Sequence, residues 1–272
     1  MCQRRLKGRI ITLPNTPETE TSVNIRQRDI LHIVRNQGFV TLDALAEKFD
    51  VSTQTVRRDV IDLSKQGLLQ RFHGGAGLPN NMVRLGHEQK NRLSPKAKQL
   101  IGEKTAQLIP NGSAVFLDVG TTAEAAARAL GNHRNLRIVT NSLLCASIVS
   151  AQSHLEIHVI GGIVHGNDGS LVGPESGQSL RRFALDYTVI GCSGLDEFGA
   201  PLDHDRQKVA IKHAAIHAAR HSILIADQSK FHARPFMRIA EPTDFKSFVT
   251  DHTPPEHIAS AWHAAGANII VV

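Results

Sequence analysis

Hydrophobic and polar positions along this chain follow two regimes that meet near Pro95. Before it, apolar residues recur at helical spacing in short bursts. Ile30, Ile33 and Val34 mark one face of a helix over 25–36, closed by Gln37-Gly38, and 39–41 is a short extended run. Leu42, Leu45, Ala46 and Phe49 give a second, shorter amphipathic helix. Asp50-Val51-Ser52 then turns tightly into a third helix. There Val56, Val60 and Leu63 repeat at i, i+4 and i+7, and Ser52 or Thr53 can cap the first N–H groups. Residues 68–73 read as a strand and 74–77 as a glycine turn. This is a winged helix-turn-helix pattern spanning about 25–78. Residues 1–24 read as a flexible polar leader, and 79–94 as a polar linker with an exposed docking segment.

After Pro95 apolar runs and helical patterns alternate. Helices are predicted at 96–108, 121–130 and about 142–150, and strands at 114–118, 136–140, 155–160, 187–190, 222–226, 247–250 and 268–272. Apolar strands alternating with helices mean a mostly parallel sheet covered on both faces. The fold class is α/β: a winged helix-turn-helix domain followed by a parallel-sheet domain over 95–272. At 272 residues the chain is long enough for both.

Charge sharpens the first half of this picture. Residues 1–90 carry 14 Lys+Arg against 9 Asp+Glu, whereas 91–272 carry 17 against 16, so the net +6 is concentrated in the first third. With the Val56 stripe turned inward, Ser52, Gln54, Thr55, Arg57 and Arg58 lie at the start of the third helix, on or beside its outward face. That is the end a helix-turn-helix presents to base edges and phosphates of double-stranded DNA, with Arg71 and His73 of the wing on the backbone. Three widely spaced cysteines (Cys2, Cys145, Cys192) form neither a disulfide framework nor a metal motif, and a reducing cytoplasm is expected. No apolar run approaches the length of a membrane span, and no secretory signal is read at the start.

In a parallel sheet ligands sit beyond the carboxyl ends of the strands, and there this chain gathers its small polar residues. The loops are Asp118-Val-Gly120-Thr121-Thr122, Thr140-Asn141-Ser142, Gly161-Gly162, Gly191-Cys-Ser193-Gly194 and Asp227-Gln-Ser-Lys230. Glycine lets backbone N–H groups approach an anion, and a hydroxyl at a helix start adds a donor where the dipole favours negative charge. Lys212 and Lys230 can supply cations, and Asp118 can accept from hydroxyls. The ligand expected is a small anion, namely a phosphorylated sugar or polyol, with no cofactor. Two other chemistries fit parts of the pattern. Asp118 or Asp196 could act as a base in an isomerase-like enzyme, although no matched acid–base pair accompanies them, and no catalytic residue is assigned. His213, His217 and His221 recur along one helix edge, as in a metal-responsive regulator, but no Cys or carboxylate cluster completes a site and no metal is assigned.

The combination of Ser52-Thr-Gln-Thr-Val-Arg-Arg-Asp59, His73-Gly-Gly-Ala76, Ile109-Pro-Asn-Gly-Ser113, Asp118-Val-Gly-Thr-Thr122, Ile138-Val-Thr-Asn141, Gly191-x-Ser-Gly194, Lys212 and Asp227-x-Ser-Lys-Phe231 resembles the DeoR-type bacterial transcription regulators, from about residue 25 to 258. The resemblance implies a sensor domain similar to ribose-5-phosphate isomerase and a role as a DNA-binding repressor of a carbohydrate or polyol catabolic operon, not an enzyme. It also implies release by a phosphorylated metabolite such as glycerol 3-phosphate or a sugar phosphate, and a homo-oligomer, dimer or tetramer. Asp205 fits the pattern. Lys208, one turn before Lys212, stands where these regulators usually carry Glu, so 205–212 is more basic than the family pattern.

Overall fold

The computed structural model describes residues 23–272 apart from 38, 73, 78–86 and 153. Nearly all of the predicted leader, and His73 with it, lies outside the described residues. The first unit comprises α1 (Ile25–Gln37), β1 (Phe39–Thr41), α2 (Leu42–Phe49), α3 (Thr53–Lys65), β2 (Gln70–Phe72) and β3 (Gly75–Gly77). Thr41 caps α2 by accepting from the Ala44 N–H, and Asp50 ends it in the left-handed region at φ 49°. That one residue bends the chain into α3, which starts at the Ser52 cap. Ile30 and Val34 of α1, Leu45 of α2, and Val56, Val60 and Leu63 of α3 close a small core.

The wing corrects one expectation. Gly75–Gly77 is not a turn but a strand, central in the order β1-β3-β2 and antiparallel to both neighbours. Only Gly74 turns, at φ +85°. Residues with almost no side chain carry little strand pattern, yet they suit a narrow position where backbone pairing on both edges decides the conformation.

The second unit contains α4 (His87–Arg92), α5 (Pro95–Gln107), β4 (Ala114–Leu117), α6 (Thr121–Leu130), β5 (Arg137–Thr140), α7 (Leu143–Ser150), β6 (Glu156–Val159), β7 (Ile163–His165), β8 (Ser170–Val172) and α8 (Pro174–Leu180). It continues through β9 (Leu185–Gly191), β10 (Gly194–Leu195), β11 (Pro201–Asp203), α9 (Arg206–Ala218), β12 (Ala219–Ile225), β13 (Met237–Arg238), β14 (Ser247–Thr250), α10 (Glu256–Ala264) and β15 (Asn268–Val271). Seven strands form one parallel sheet in the order β15-β14-β12-β9-β4-β5-β6. Alternation along β4 shows why both faces are covered. Ala114 and Phe116 join the core under α9 and α10, while Val115 and Leu117 join the core under α5, α6 and α7.

Two close approaches lock these layers. A Cβ on Gly102 of α5 would sit 2.5 Å from the Ala125 carbonyl carbon of α6, so glycine is what lets the two helices meet. On the other face Trp262 of α10 is fully buried beside Phe245 and Phe248, and its Nε1 donates to the Gly199 carbonyl at 2.9 Å. The sequence pattern did not predict α4, which falls within the stretch read as linker, nor the β7–β8 hairpin, nor the small antiparallel sheet β10-β11-β13. All are too short for a period to show.

The sheet order places the site. From β4 the chain moves through β5 to β6, then crosses back to β9 on the other side of β4. The crevice at this reversal, beyond the carboxyl ends of β4 and β9, is where such sheets bind ligands.

Candidate functional site

Two surfaces carry the polar residues. On α3 the buried stripe leaves Gln54, Arg57 and Arg58 exposed, and Arg71 is exposed on β2. Ser52 and Thr55 are engaged with each other. The Ser52 hydroxyl accepts from the Thr55 N–H at 3.2 Å and lies 2.8 Å from the Thr55 hydroxyl. They fix the start of α3, and the pair lies at the surface. Asp59, in the same helix, is buried and anchors it from behind. Arg26 Nε donates to Asp59 at 2.6 Å and Gln27 Nε2 at 3.3 Å, both from α1. The sequence reading missed this anchor, because Asp59 looks like one more polar position until α1 is packed against it.

The second surface is a narrow cavity of about 70 Å³ at the β4/β9 crevice, lined by Lys90, Lys98, Gly120 to Ala123, Asp168, Gly191 to Ser193, Asp203, Lys208, Lys212, Asp227 and Lys230. Its floor is an ion-pair cluster. Lys212 Nζ donates to Asp118 Oδ2 at 2.6 Å and to the Gly191 carbonyl at 2.7 Å, with Asp203 at 3.2 Å. Burial opposes charge on Lys212, but Asp118 and Asp203 outweigh it and raise its pKa, so it stays an ammonium. Burial pushes the Asp118 carboxyl up against the pull of Lys212, whereas Asp203, although buried, is drawn down to about 2 by Lys212 and by the His204 N–H. Asp118 Oδ1 is buried with no hydrogen-bond partner among the described residues, an unmet acceptor at the cavity floor.

The upper wall is more weakly neutralised. Lys208 pairs with Asp168 of the β7–β8 hairpin. Burial lowers Lys90 and Lys98 each to about 8. Lys98 and Thr121 also line a larger, open groove of about 1010 Å³ between α5 and α6. The small cavity is the better candidate for an anion, since it holds the converging cations. Its Cys192 thiol is pushed up to about 12 by burial and stays protonated.

The structure brings Gly120, Thr121, Thr122, Gly191, Ser193, Lys212 and Lys230 together around this cavity, with Asp118 beneath. It does not bring the other predicted ligand residues there. Thr140 donates to the Leu117 carbonyl, Asn141 to the Leu171 carbonyl, and Ser142 caps α7. A Cβ on Gly162 would sit 2.5 Å from Ser176 Oγ, and Ser176 donates to the Gly161 carbonyl. Gly194 admits the Ala233 carbonyl, which a Cβ would meet at 2.2 Å. Asp205 caps α9 and contacts His165 at 2.7 Å. These loops are at strand ends because turns need such residues. Lys90, Lys98, Asp168 and Asp203 are lining residues the loop pattern missed; Asp227 stood in a marked loop without a role, and Lys208 was singled out only for its charge.

The description of a DeoR-like helix-turn-helix domain matches residues 26–82, and that of a DeoR C terminal sensor domain matches residues 94–252. This chain belongs to the DeoR family. The DeoR-family chain is 38% identical over 230 residues to the glycerol-3-phosphate regulon repressor of Escherichia coli strain K12, covering 85% of this chain and 91% of that one. It is 36% identical over 253 residues to the HTH-type transcriptional repressor CsqR of the same organism, covering 93% and 97%. Both relatives are named as repressors, not enzymes. A solved ribose 5-phosphate isomerase A of Methanocaldococcus jannaschii matches 50% of this chain and 54% of its own at 14% identity and TM-score 0.38, a distant likeness.

Of the histidines read as a metal motif, His213 and His217 stack with ring centroids 4.2 Å apart, while His221 faces Tyr187. Among the described residues no group of three metal-ligating side chains converges. No helix among them is long and apolar enough to cross a membrane.

Proposed function

We propose that this DeoR-family regulator is a cytoplasmic repressor of a carbohydrate or polyol catabolic operon. It binds double-stranded operator DNA as a dimer or tetramer through Gln54, Arg57, Arg58 and Arg71, and a phosphorylated metabolite in the cavity releases it. The observation that carries the reading is the coexistence of an exposed, firmly anchored α3 with a cavity lined by Lys90, Lys98, Lys208, Lys212 and Lys230 and by the Gly120–Thr122 start of α6. A compact anion such as a phosphoryl group suits the charge of that small cavity of about 70 Å³. The rest of the metabolite then lies toward the mouth. Release follows if the ligand prefers the arrangement in which the winged helix does not match its site.

The test is an electrophoretic shift of DNA flanking the protein's own gene, titrated with glycerol 3-phosphate, sugar phosphates and the corresponding unphosphorylated compounds. Release by a phosphorylated member alone is the expected result. Equal release by the unphosphorylated partner would remove the phosphate from the reading.

A further inference from the structure

The cavity has a wall that neither domain description covers. The helix-turn-helix match ends at residue 82 and the sensor match begins at 94, while α4 (His87–Arg92) lies between them and contributes Lys90 to the cavity. Three attachments hold α4 against the sheet domain, and each ends at or beside the cavity. Lys98 Nζ, itself a lining group, donates to the Lys90 carbonyl and, at 2.6 Å, to the Leu93 carbonyl. His87 contacts Glu124 Oε1 at 2.5 Å, and Glu124 lies in the first turn of α6, directly after the Gly120–Thr122 loop. Lys90 reaches into the cavity among Lys208, Lys230, Asp168 and Asp203.

An ammonium has three donors. Lys98 uses one on the α4 backbone at Lys90 and one on Leu93 just beyond the helix, which leaves a third for a ligand in the cavity. Lys90 sits nearer balance with two lysines and two carboxylates around it than a buried cation prefers, and burial holds its pKa down near 8. An entering anion would therefore be gripped by a side chain of α4 and, through Lys98, by the group that clasps the α4 backbone.

We propose that Lys90 is an anion-binding residue supplied by the connecting segment, and that α4 is the element through which the occupied cavity acts on the winged helix. Residues 78–86, nine positions, are all that separate α4 from the last wing residue Gly77. A ligand gripped by Lys90 adds to the attachments that already hold α4 on α5 and α6, so occupancy bears directly on the segment that leads back to the winged helix. This rests on the reading of the cavity as the effector site, and the two can be told apart.

The experiment is hydrogen exchange on the full chain, with inorganic phosphate and glycerol 3-phosphate as probes, following the amides of 119–123 and of 87–92. Both segments are expected to slow in the wild type. In Lys90→Ala, at saturating probe, 119–123 should still slow while 87–92 does not, and operator release should need at least tenfold more glycerol 3-phosphate. Lys90→Arg should restore both. Slowing confined to 119–123 in the wild type would overturn the role of α4 and leave the cavity reading standing. If neither segment slows with either probe, the cavity reading fails and this inference falls with it.

Discussion

Single residues separate the two jobs of this chain. Arg57 is exposed on a helix whose opposite face is core, so Arg57→Ala should leave the fold intact while costing about 1–3 kcal/mol of operator binding, roughly 5- to 150-fold. Circular dichroism and an electrophoretic shift on one preparation check it, and undiminished affinity would remove Arg57 from the interface. Lys212 is different. It is buried between Asp118 and Asp203, so Lys212→Ala strands two carboxylates and should destabilise the sheet domain by about 3–5 kcal/mol, seen as a lower Tm as well as a blunted ligand response. Lys90 and Lys98 give a pH signature. Each has its folded pKa lowered to about 8, so the unfolded chain holds more protons above that value and these two residues add stability as pH rises from about 8 toward 10.5. Anion binding runs the other way, because only the charged lysines attract it. Lys208, Lys230, Asp168 and Asp203 face Lys90, and Asp227, Glu124 and Lys230 face Lys98; Asp168, Asp203 and Asp227 are held below the usual carboxylate range and stay ionised throughout that window. Phosphate affinity by calorimetry should fall between about pH 7 and 9, and a flat profile would count against both lysines as ligands.

At the level of elements, period and punctuation carried most of the fold. The Val56, Val60, Leu63 stripe specified α3, and runs such as Ala114–Leu117 specified the sheet, since strands buried on both faces are apolar throughout. What stayed illegible were α8, α10 and several elements too short to show a period, with α4 the most consequential. Within the site, glycine and hydroxyl residues at strand ends pointed to the right edge of the sheet. They could not distinguish the loops that line the cavity from those, like Thr140-Asn141-Ser142, whose side chains tie β5 to β4, reach the Leu171 carbonyl of β8 and cap α7. Lysines such as Lys98 read as solvated helix positions, and their convergence is a tertiary fact. The α5–α6 contact offers a test at this scale. Gly102→Ala gains helix propensity but drives a methyl into the α6 backbone, so the protein should lose about 1–3 kcal/mol in chemical denaturation. A gain in stability would mean that the two helices can separate without cost.

Across the whole molecule, two hydrophobic cores of the sheet domain and a third in the winged helix are distinct clusters, so the two functions rest on separately packed bodies joined through a short segment. That segment is one route of communication between them, and an effector can move the balance only by its difference in affinity for the two arrangements. The chain holds a single tryptophan, Trp262, sealed against Phe245 and Phe248 on the far face of the sheet from α5 and α6. Its emission is thus a built-in optical reporter of one body alone. A melt followed by tryptophan fluorescence records the sensor half while far-ultraviolet ellipticity records both, and a gap between the two curves gives the independence of the winged helix directly, with no label attached.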